Sequence, residues 1–217
     1  MKKVISFSIF GDGPKYTVGA IKNADLALAI YPDWECWFYV GTNVPESIIE
    51  ELEKRSNSKV ILMSDREPDW TGMFWRFETA SDESVDVMIS RDTDSRLSQR
   101  EKDAVDVWLR SDKSFHIMRD YPAHSTAILG GMWGAKYPLL ANIKTLMSNY
   151  SQGNFWQVDQ NFLREIIYPI VRDDAVVHDE FFEKNPFPTK RQEGTDYNGN
   201  PIHFVGSVFD EDDNQVI

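Results

Sequence analysis

The first 63 residues alternate between short apolar runs and amphipathic stretches, and this alternation constrains the fold more than any other feature of the chain. The apolar runs are bounded by glycine, proline or polar residues, as buried strands are. The pattern predicts strands at 4–10, 34–40 and 59–63, and helices at 16–31 and after Pro45. Strands that alternate with helices in this way are typical of a parallel sheet covered by helices.

The remaining residues continue the pattern with less regular spacing. Ser98, followed three residues later by Glu101, forms a capping box that marks the start of a helix. Strands are predicted at 85–89, 115–118, 175–177 and 203–205, and helices at 73–79, 98–110, 138–150 and 158–168. No repeat and no linker divides the sequence, so we expect a single α/β domain over residues 1–217.

Charge and cysteine content restrict the partners and the compartment that we expect for this chain. The formal net charge of −12 opposes contact with a phosphate backbone, so we expect no nucleic-acid partner. The acidic run at 210–213 is interpreted as a solvated tail. Cys36 is the sole cysteine, which excludes an internal disulfide and suits a reducing compartment, and its apolar neighbours predict that it is buried. No stretch approaches the roughly 20 apolar residues of a membrane span, and the expected location is the cytoplasm.

The chemistry of the chain is concentrated directly after the predicted strand at 85–89, where Asp92-Thr93-Asp94 follows. In an extended chain, side chains two residues apart point the same way, roughly 6.5–7 Å from each other. Ligands of open α/β sheets lie at the carboxyl ends of the strands. Carboxylates suit hard cations such as Mn²⁺ or Mg²⁺, and a cation held here would bridge to a diphosphate. The sequence therefore predicts a metal site at Asp92 and Asp94.

Other interpretations of this acidic pair remain open. An Asp-x-Asp pattern in isolation also occurs in solvated loops and helix caps. A calcium-binding EF-hand loop is excluded, because Arg96 stands at its fifth position and no glycine follows at the sixth. Phosphatases with an aspartyl nucleophile carry the motif after the first strand of their fold, whereas several strands precede it here.

Four segments stand in order along the chain: "SFSIFG", "SRDTDSRLSQREKDAVDVWL", "HIMRDYPAHSTAILGGMWGAK" and "DQNFL". Together they resemble the nucleotide-diphospho-sugar glycosyltransferases of GT-A fold, including small viral and bacterial polysaccharide-associated members. The resemblance implies a Rossmann-like domain whose central sheet is mostly parallel and flanked by helices. Residues 1–97 would form the donor-nucleotide half and residues 98–217 the acceptor half. The implied reaction moves a sugar from a nucleotide-sugar, UDP-linked in most of the family, to a hydroxyl of a glycan or saccharide acceptor.

The resemblance also assigns roles to individual residues. Phe10, Gly11 and Tyr16 would contact the nucleotide. Asp92 would contact the ribose or the metal, and Asp94 the metal. The remaining donor contacts fall on Arg76, Gly130, Gly131, Trp133 and Gln160. Here the glycines would permit close approach of the backbone, and Trp133 would offer a flat face to the donor sugar. Simpler roles exist for several of them: a helix surface for Tyr16, a salt bridge for Arg76 and a strand bend for the glycines.

Two further positions complete the implied site. Asp159 would act as the general base toward the acceptor hydroxyl, although aspartate at the start of a helix is also a common cap. His178 would be the third metal ligand, with His203 as the second choice. The chain lacks the terminal histidine, glycine and lysine motif of the better-known retaining transferases. The third ligand and the stereochemical outcome therefore stay open.

Two alternative functions are compatible with the same sequence. A sugar-nucleotide pyrophosphorylase would need a glycine-rich basic loop after the first strand, and "FGDGPKYT" has two glycines but one lysine. A non-catalytic sugar-binding module would need neither the metal nor Asp159. The convergence of Asp92, Asp94 and Asp159 on one glycine-rich segment favours an enzyme.

Overall fold

A computed structural model describes residues 1–151 and 153–216. The chain is built on a central sheet of seven strands. In chain order they are β1 (Lys3–Ile9), β2 (Glu35–Val40), β3 (Ser58–Leu62), β4 (Val87–Ser90), β5 (Phe115–Arg119), β6 (Trp133–Lys136) and β7 (Ala175–Asp179). A separate two-stranded ribbon pairs β8 (Val208–Phe209) with β9 (Gln215–Val216) near the C-terminus.

The helices cover both faces of the sheet. They are α1 (Pro14–Ile30), α2 (Glu46–Glu53), α3 (Gln99–Arg110), α4 (Ile143–Ser148), α5 (Val158–Phe162) and α6 (Tyr168–Val171), with a 3-10 helix at Trp70–Ser81, a π-helical turn at Leu163–Ile167 and a 3-10 turn at Arg172–Asp174. Alternate residues of the strands point to opposite faces, so Phe7 and Ile89 pack under α1 and α3, while Val4 and Met88 pack under the 3-10 helix and α5.

The strand order places a crevice where the chain changes direction across the sheet. The order is β3-β2-β1-β4-β6-β5-β7, in which β6 runs antiparallel to both of its neighbours and the other pairs are parallel. The chain builds outward from β1 through β3 and then returns to the other side of β1 as β4. Ligands of open α/β sheets bind at such a reversal, beside the carboxyl ends of the two strands. Here those ends are followed by Phe10 and by the Asp92–Asp94 loop.

Most predicted elements are confirmed, and those in the first 63 residues agree within two residues at each end. The predicted helix at 138–150 is too long, since the observed helix α4 begins at Ile143 and ends at Ser148. The residues before Ile143 form turns, in which an amide donates to the carbonyl three residues earlier, as Ala141 does to Pro138. The strand predicted at 203–205 is wrong, and the chain pairs as β8 and β9 instead. Cys36 is buried as predicted, and burial raises the pKa of its thiol to about 12. Among the described residues, no helix is both long and apolar enough to cross a bilayer.

Candidate functional site

A cavity of about 440 Å³ opens at the reversal point of the sheet. Residues following β1 and β4 form its floor, and the 3-10 helix, the start of α5 and the segment before β8 form its walls. The cavity is lined by eight of the residues predicted from sequence: Phe10, Tyr16, Arg76, Asp92, Asp94, Gly130, Asp159 and Gln160. Residues drawn from both halves of the chain therefore converge at one place.

Helix α1 holds the backbone of the acidic loop. The side chain of Asn23 donates to the carbonyl oxygens of Thr93 and Ser95 at 3.2 and 2.8 Å, and accepts from the amide of Leu97 at 3.0 Å. Gly19 lies so close to the loop that a Cβ there would overlap the Thr93 carbonyl oxygen. Thr93 is buried in this loop, and Asp92, Thr93 and Asp94 all line the cavity.

The acidic C-terminus is exposed at 211–213, as a solvated tail would be, and it also supports the same loop. The amide of Phe209 donates to the carbonyl oxygen of Asp94 at 2.7 Å. Asp213 accepts from Arg96 at 2.8 Å and from Lys22 at 2.6 Å. These bonds join α1, the acidic loop and the C-terminal ribbon on the outer side of the cavity.

Arg76 is the central cation of the site. One guanidinium nitrogen donates to Asp92 and to the carbonyl oxygen of Arg91, and the other donates to Asp159 at 3.1 Å. Two serines of β1 position it, since Ser8 accepts from the Arg76 amide at 3.0 Å and Ser6 donates to the Arg76 carbonyl at 2.7 Å. Arg76 is buried, with 5% of its surface exposed, so it carries its charge into the interior only because both carboxylates are there.

The two glycines of the GGMWG segment make room for this ion-pair cluster. A Cβ on Gly130 would lie 2.6 Å from a guanidinium nitrogen of Arg76 and would overlap Asp159. A Cβ on Gly131 would overlap the carboxylate of Asp92. The carboxylates fill the space beside the glycines, and of the two only Gly130 lines the cavity, so the predicted donor contact is corrected for Gly131 and stays a prediction for Gly130.

The carboxylates of the cavity carry more negative charge than the neighbouring cations neutralise. Burial, and then the negative charge of Asp92, raise the pKa of Asp94, although Lys15 approaches it at 3.4 Å. Burial also raises the pKa of Asp159, which Arg76 opposes and Asp92 reinforces. In addition, Oδ1 of Asp159 is buried without a hydrogen-bond partner. A buried acceptor of this kind is unfavourable until a ligand donates to it.

Asp92 and Asp94 suit a divalent cation whose remaining ligands would come from the substrate and from water. Within residues 1–151 and 153–216, no three His, Cys, Asp or Glu side chains form a metal-binding group. Mg²⁺ is commonly held by one or two carboxylates plus substrate phosphates and water, so two protein ligands are sufficient. The repulsion between Asp92 and Asp94, which contributes to the raised pKa of Asp94, is the interaction that a bound cation would relieve.

Besides Gly131, three predicted contacts lie outside the cavity. The ring of Trp133 is fully buried and stacks on Phe115 with ring centroids 5.4 Å apart, so it offers no face to a sugar. His178 is buried on β7, where its Nδ1 lies 2.8 Å from Nε2 of His116, and its prediction as a metal ligand is wrong. Gly11 has φ of 80° and forms the turn after β1, donating to Asn43 at 2.8 Å.

His203, the second choice for a metal ligand, also lies outside the cavity. Its exposed side chain lines a separate groove behind the segment that precedes β8, and it does not line the cavity of Asp92 and Asp94.

Lys15, Trp70 and Trp156 were missed by sequence reasoning, whereas His124 is a position that the sequence already suggests as a contact for acceptor or phosphate. Lys15 lies in the first turn of α1 and pairs with Asp94, and a lysine placed so soon after β1 was the available signal. His124 accepts the Asp120 amide at Nδ1, so its proton is on Nε2, and burial lowers its pKa to about 4. His124 therefore offers a neutral N–H donor to the cavity. Trp70 and Trp156 lie at the mouth, and neither position carried a sequence signal.

The sheet order, the antiparallel β6 and the carboxylate pair at the reversal point together define the GT-A fold. No protein-family model matches the chain, and no curated protein sequence matches it. Solved structures do match, and they confirm the predicted fold.

One similar structure is a glycosyltransferase involved in the glycosylation of the major capsid of PBCV-1, with a TM-score of 0.53, 18% identity, and coverage of 83% of this chain and 82% of that one. Another is the mannosyltransferase PcManGT from Pyrobaculum calidifontis in complex with GDP-Man and Mn²⁺, with a TM-score of 0.55, 10% identity, and coverage of 82% of this chain and 55% of that one. A third is 4-diphosphocytidyl-2C-methyl-D-erythritol synthase from Anaerococcus prevotii. Its TM-score is 0.53, its identity is 14%, and the match covers 87% of this chain and 93% of that one.

Proposed function

We propose that this protein is a metal-dependent glycosyltransferase that moves a sugar from a nucleotide-sugar, UDP-linked, to a hydroxyl of a glycan acceptor. The observation that carries the proposal is the cluster at the reversal point, in which Arg76 joins Asp92 of the acidic pair to Asp159. Two of the similar structures are glycosyltransferases, and one of these is a complex with a nucleotide-sugar and Mn²⁺.

The donor end of the site is formed by residues that follow β1 and β4. Phe10 and Tyr16 would pack against the nucleoside, with Lys15 and Arg76 on the diphosphate. Asp92 and Asp94 would hold Mn²⁺ or Mg²⁺, which supplies Lewis-acid neutralisation of the departing diphosphate. His124, which also lines the cavity, would add a hydrogen-bond donor.

The acceptor end is formed by α5, where Asp159 would take the proton of the attacking hydroxyl. Oδ2 of Asp159 is fixed by Arg76 at 3.1 Å, which leaves the unpartnered Oδ1 to accept from the incoming hydroxyl. A raised pKa makes a carboxylate a better base near neutral pH, and burial raises the pKa of Asp159. Gln160, next along α5, would bind hydroxyls of the same ligand.

The test is Mn²⁺-dependent release of UDP from UDP-sugars by the purified protein and by Asp94→Asn. A metal supplies several kcal/mol of charge stabilisation, so the substitution is expected to lower the rate by about a hundredfold or more. Asp65→Asn, at an exposed aspartate, is the matched control and should retain the wild-type rate. Wild-type turnover by Asp94→Asn, or turnover that is unchanged by chelation of the metal, would reject the proposal.

Nucleotidyl transfer is the second candidate function, favoured by the similarity to the diphosphocytidyl-methylerythritol synthase. It would need cations on the triphosphate after β1, and Lys15 is the only lysine or arginine in the segment "FGDGPKYT", which weakens this candidate. Release of pyrophosphate from CTP or UTP in the presence of a sugar phosphate, without hydrolysis of any nucleotide-sugar, would favour it over sugar transfer.

A further inference from the structure

Two exposed indole rings stand at the mouth of the cavity. Trp70 is 44% exposed and Trp156 is 65% exposed, and both line the cavity. Trp156 belongs to the loop that leads into α5, three residues before Asp159. Large apolar side chains held exposed beside a polar cavity are typical of a ligand-binding surface.

The loop that carries Trp156 is anchored to the opposite wall. The side chain of Asn154 donates to Asp69 at 2.6 Å. Asp69 is also the cap of the 3-10 helix, where it accepts from the amide of Thr71 at 2.8 Å. Because that helix carries Arg76, the bond from Asn154 connects the Trp156 loop to the element that bears the central cation.

The charged groups give the cavity two distinguishable ends. Lys15 and Asp94 form one end, beside β1. Arg76 connects Asp92 to Asp159, and Trp156, three residues before Asp159 in the chain, lines the same cavity. A ring that rests on Trp156 would therefore lie in the cavity that Asp159 also lines.

The chemistry around Trp156 favours a neutral ring over an anion. A pyranose has an apolar C–H face for an aromatic ring and a rim of hydroxyls for amides, and Gln157 and Gln160 line the cavity beside the indole. Among the described residues that line the cavity, the lysine and arginine side chains are Lys15 and Arg76, and both are already paired with carboxylates. The proposed function uses both on the donor diphosphate, so the described lining has no further lysine or arginine for a phosphate or carboxylate on the acceptor.

We infer that Trp156 is the platform on which a neutral pyranose ring of the acceptor stacks, with one hydroxyl directed to Asp159. The term acceptor rests on the proposed glycosyltransferase function, but the stacking itself can be tested without turnover. Trp156 would thus provide the flat face for a sugar ring that the sequence assigned to Trp133. The ring concerned is that of the acceptor and not that of the donor sugar.

The binding test measures saturation transfer by NMR from the protein to the methyl pyranosides of glucose, galactose and mannose, with 3-phosphoglycerate as the anionic probe. Trp156→Ala is expected to weaken binding of at least one pyranoside about tenfold, which corresponds to about 1.4 kcal/mol. Trp156→Phe should retain most of the affinity because it keeps an aromatic face. Tyr197→Ala, at a tyrosine that is 97% exposed, is the matched control and should bind as the wild type does.

A turnover test separates this inference from the proposed function. With a pyranoside acceptor present, Trp156→Ala should lower the ratio of transfer to hydrolysis about tenfold relative to Tyr197→Ala, through the acceptor KM. The inference is overturned if no pyranoside binds the wild type, if Trp156→Ala binds as tightly as Tyr197→Ala, or if 3-phosphoglycerate is the preferred probe. If the wild type hydrolyses the donor but Trp156→Ala changes neither pyranoside binding nor transfer, the inference fails and the proposed function stands. Pyranoside binding that depends on Trp156, without any donor hydrolysis, would refute the function and keep the sugar site.

Discussion

Replacing Arg76 with methionine tests whether the buried cation holds the site together. The substitution keeps a long apolar side chain but leaves Asp159, whose side chain is 2% exposed, without its ion-pair partner. Asp92 is less affected, because its side chain is 45% exposed and water can replace the lost bond. The cost is therefore that of one unpaired buried carboxylate, about 3–5 kcal/mol.

That cost should depend on pH in a defined direction. Without Arg76, the pKa of Asp159 rises further, because the positive charge that opposed its burial is gone. A carboxyl group with a raised folded pKa stabilises the fold while it is protonated, and this stabilisation is lost as the pH rises through that pKa. The difference between Arg76→Met and the wild type is thus expected to be largest at neutral pH and to shrink as the solution is acidified.

Thermal and urea unfolding followed by circular dichroism would measure the effect. At about 2–4 °C per kcal/mol for a chain of this size, Arg76→Met should lower Tm by about 10 °C at neutral pH. The double variant Arg76→Met/Asp159→Asn should recover most of the loss, since it removes the unpaired charge. Arg172→Met is the control, because Arg172 is 60% exposed and its loss should change stability by less than about 0.5 kcal/mol. A single variant as stable as this control at neutral pH would refute the argument.

Two further predictions concern stability. Alanine in place of glycine inside a helix normally stabilises by about 1 kcal/mol, but Gly19→Ala should lower Tm, because its Cβ would overlap the Thr93 carbonyl and overpacking costs about 1–3 kcal/mol. A raised Tm would show that the acidic loop does not depend on this contact. Burial lowers the pKa of His178 to about 4, so its contribution to stability should fall by about 3 kcal/mol as the pH drops from 6.5 to 4. Urea titrations of His178→Gln should show a weaker pH dependence over this range, whereas the exposed-site control His203→Gln should retain the wild-type dependence.

The ion-pair cluster could be predicted only in part from the sequence. Asp92 and Asp94 were identifiable because the motif follows an apolar strand, and both features lie within ten residues of each other. Asp159 was placed in the site by its resemblance to a known segment. The bond from Arg76 to Asp159 joins residues 83 positions apart, and no periodicity in the chain reports such a contact.

The assignment of Trp133 to the site failed for a different reason. Trp133 stands in a glycine-rich segment, which suggested a pocket, but its strand β6 is covered on that face by Phe77 and Phe115. Trp156 lies in a loop without regular spacing, and its exposure is known only once the fold places that loop over the cavity. Whether a tryptophan is core or surface is thus decided by what covers it.

The sequence by itself determined the order of strands and helices, the buried character of the first two strands and the position of the acidic pair at a strand end. These features follow from side-chain periods of 2 and 3.6 residues and from local turn chemistry, which act between near neighbours. Only the tertiary structure decided that Arg76 binds both Asp92 and Asp159, that His178 pairs with His116 and that the acidic tail supports the loop. Each of these depends on segments distant in the chain meeting in space, because the pKa, burial and available ligands of a side chain are set by those partners.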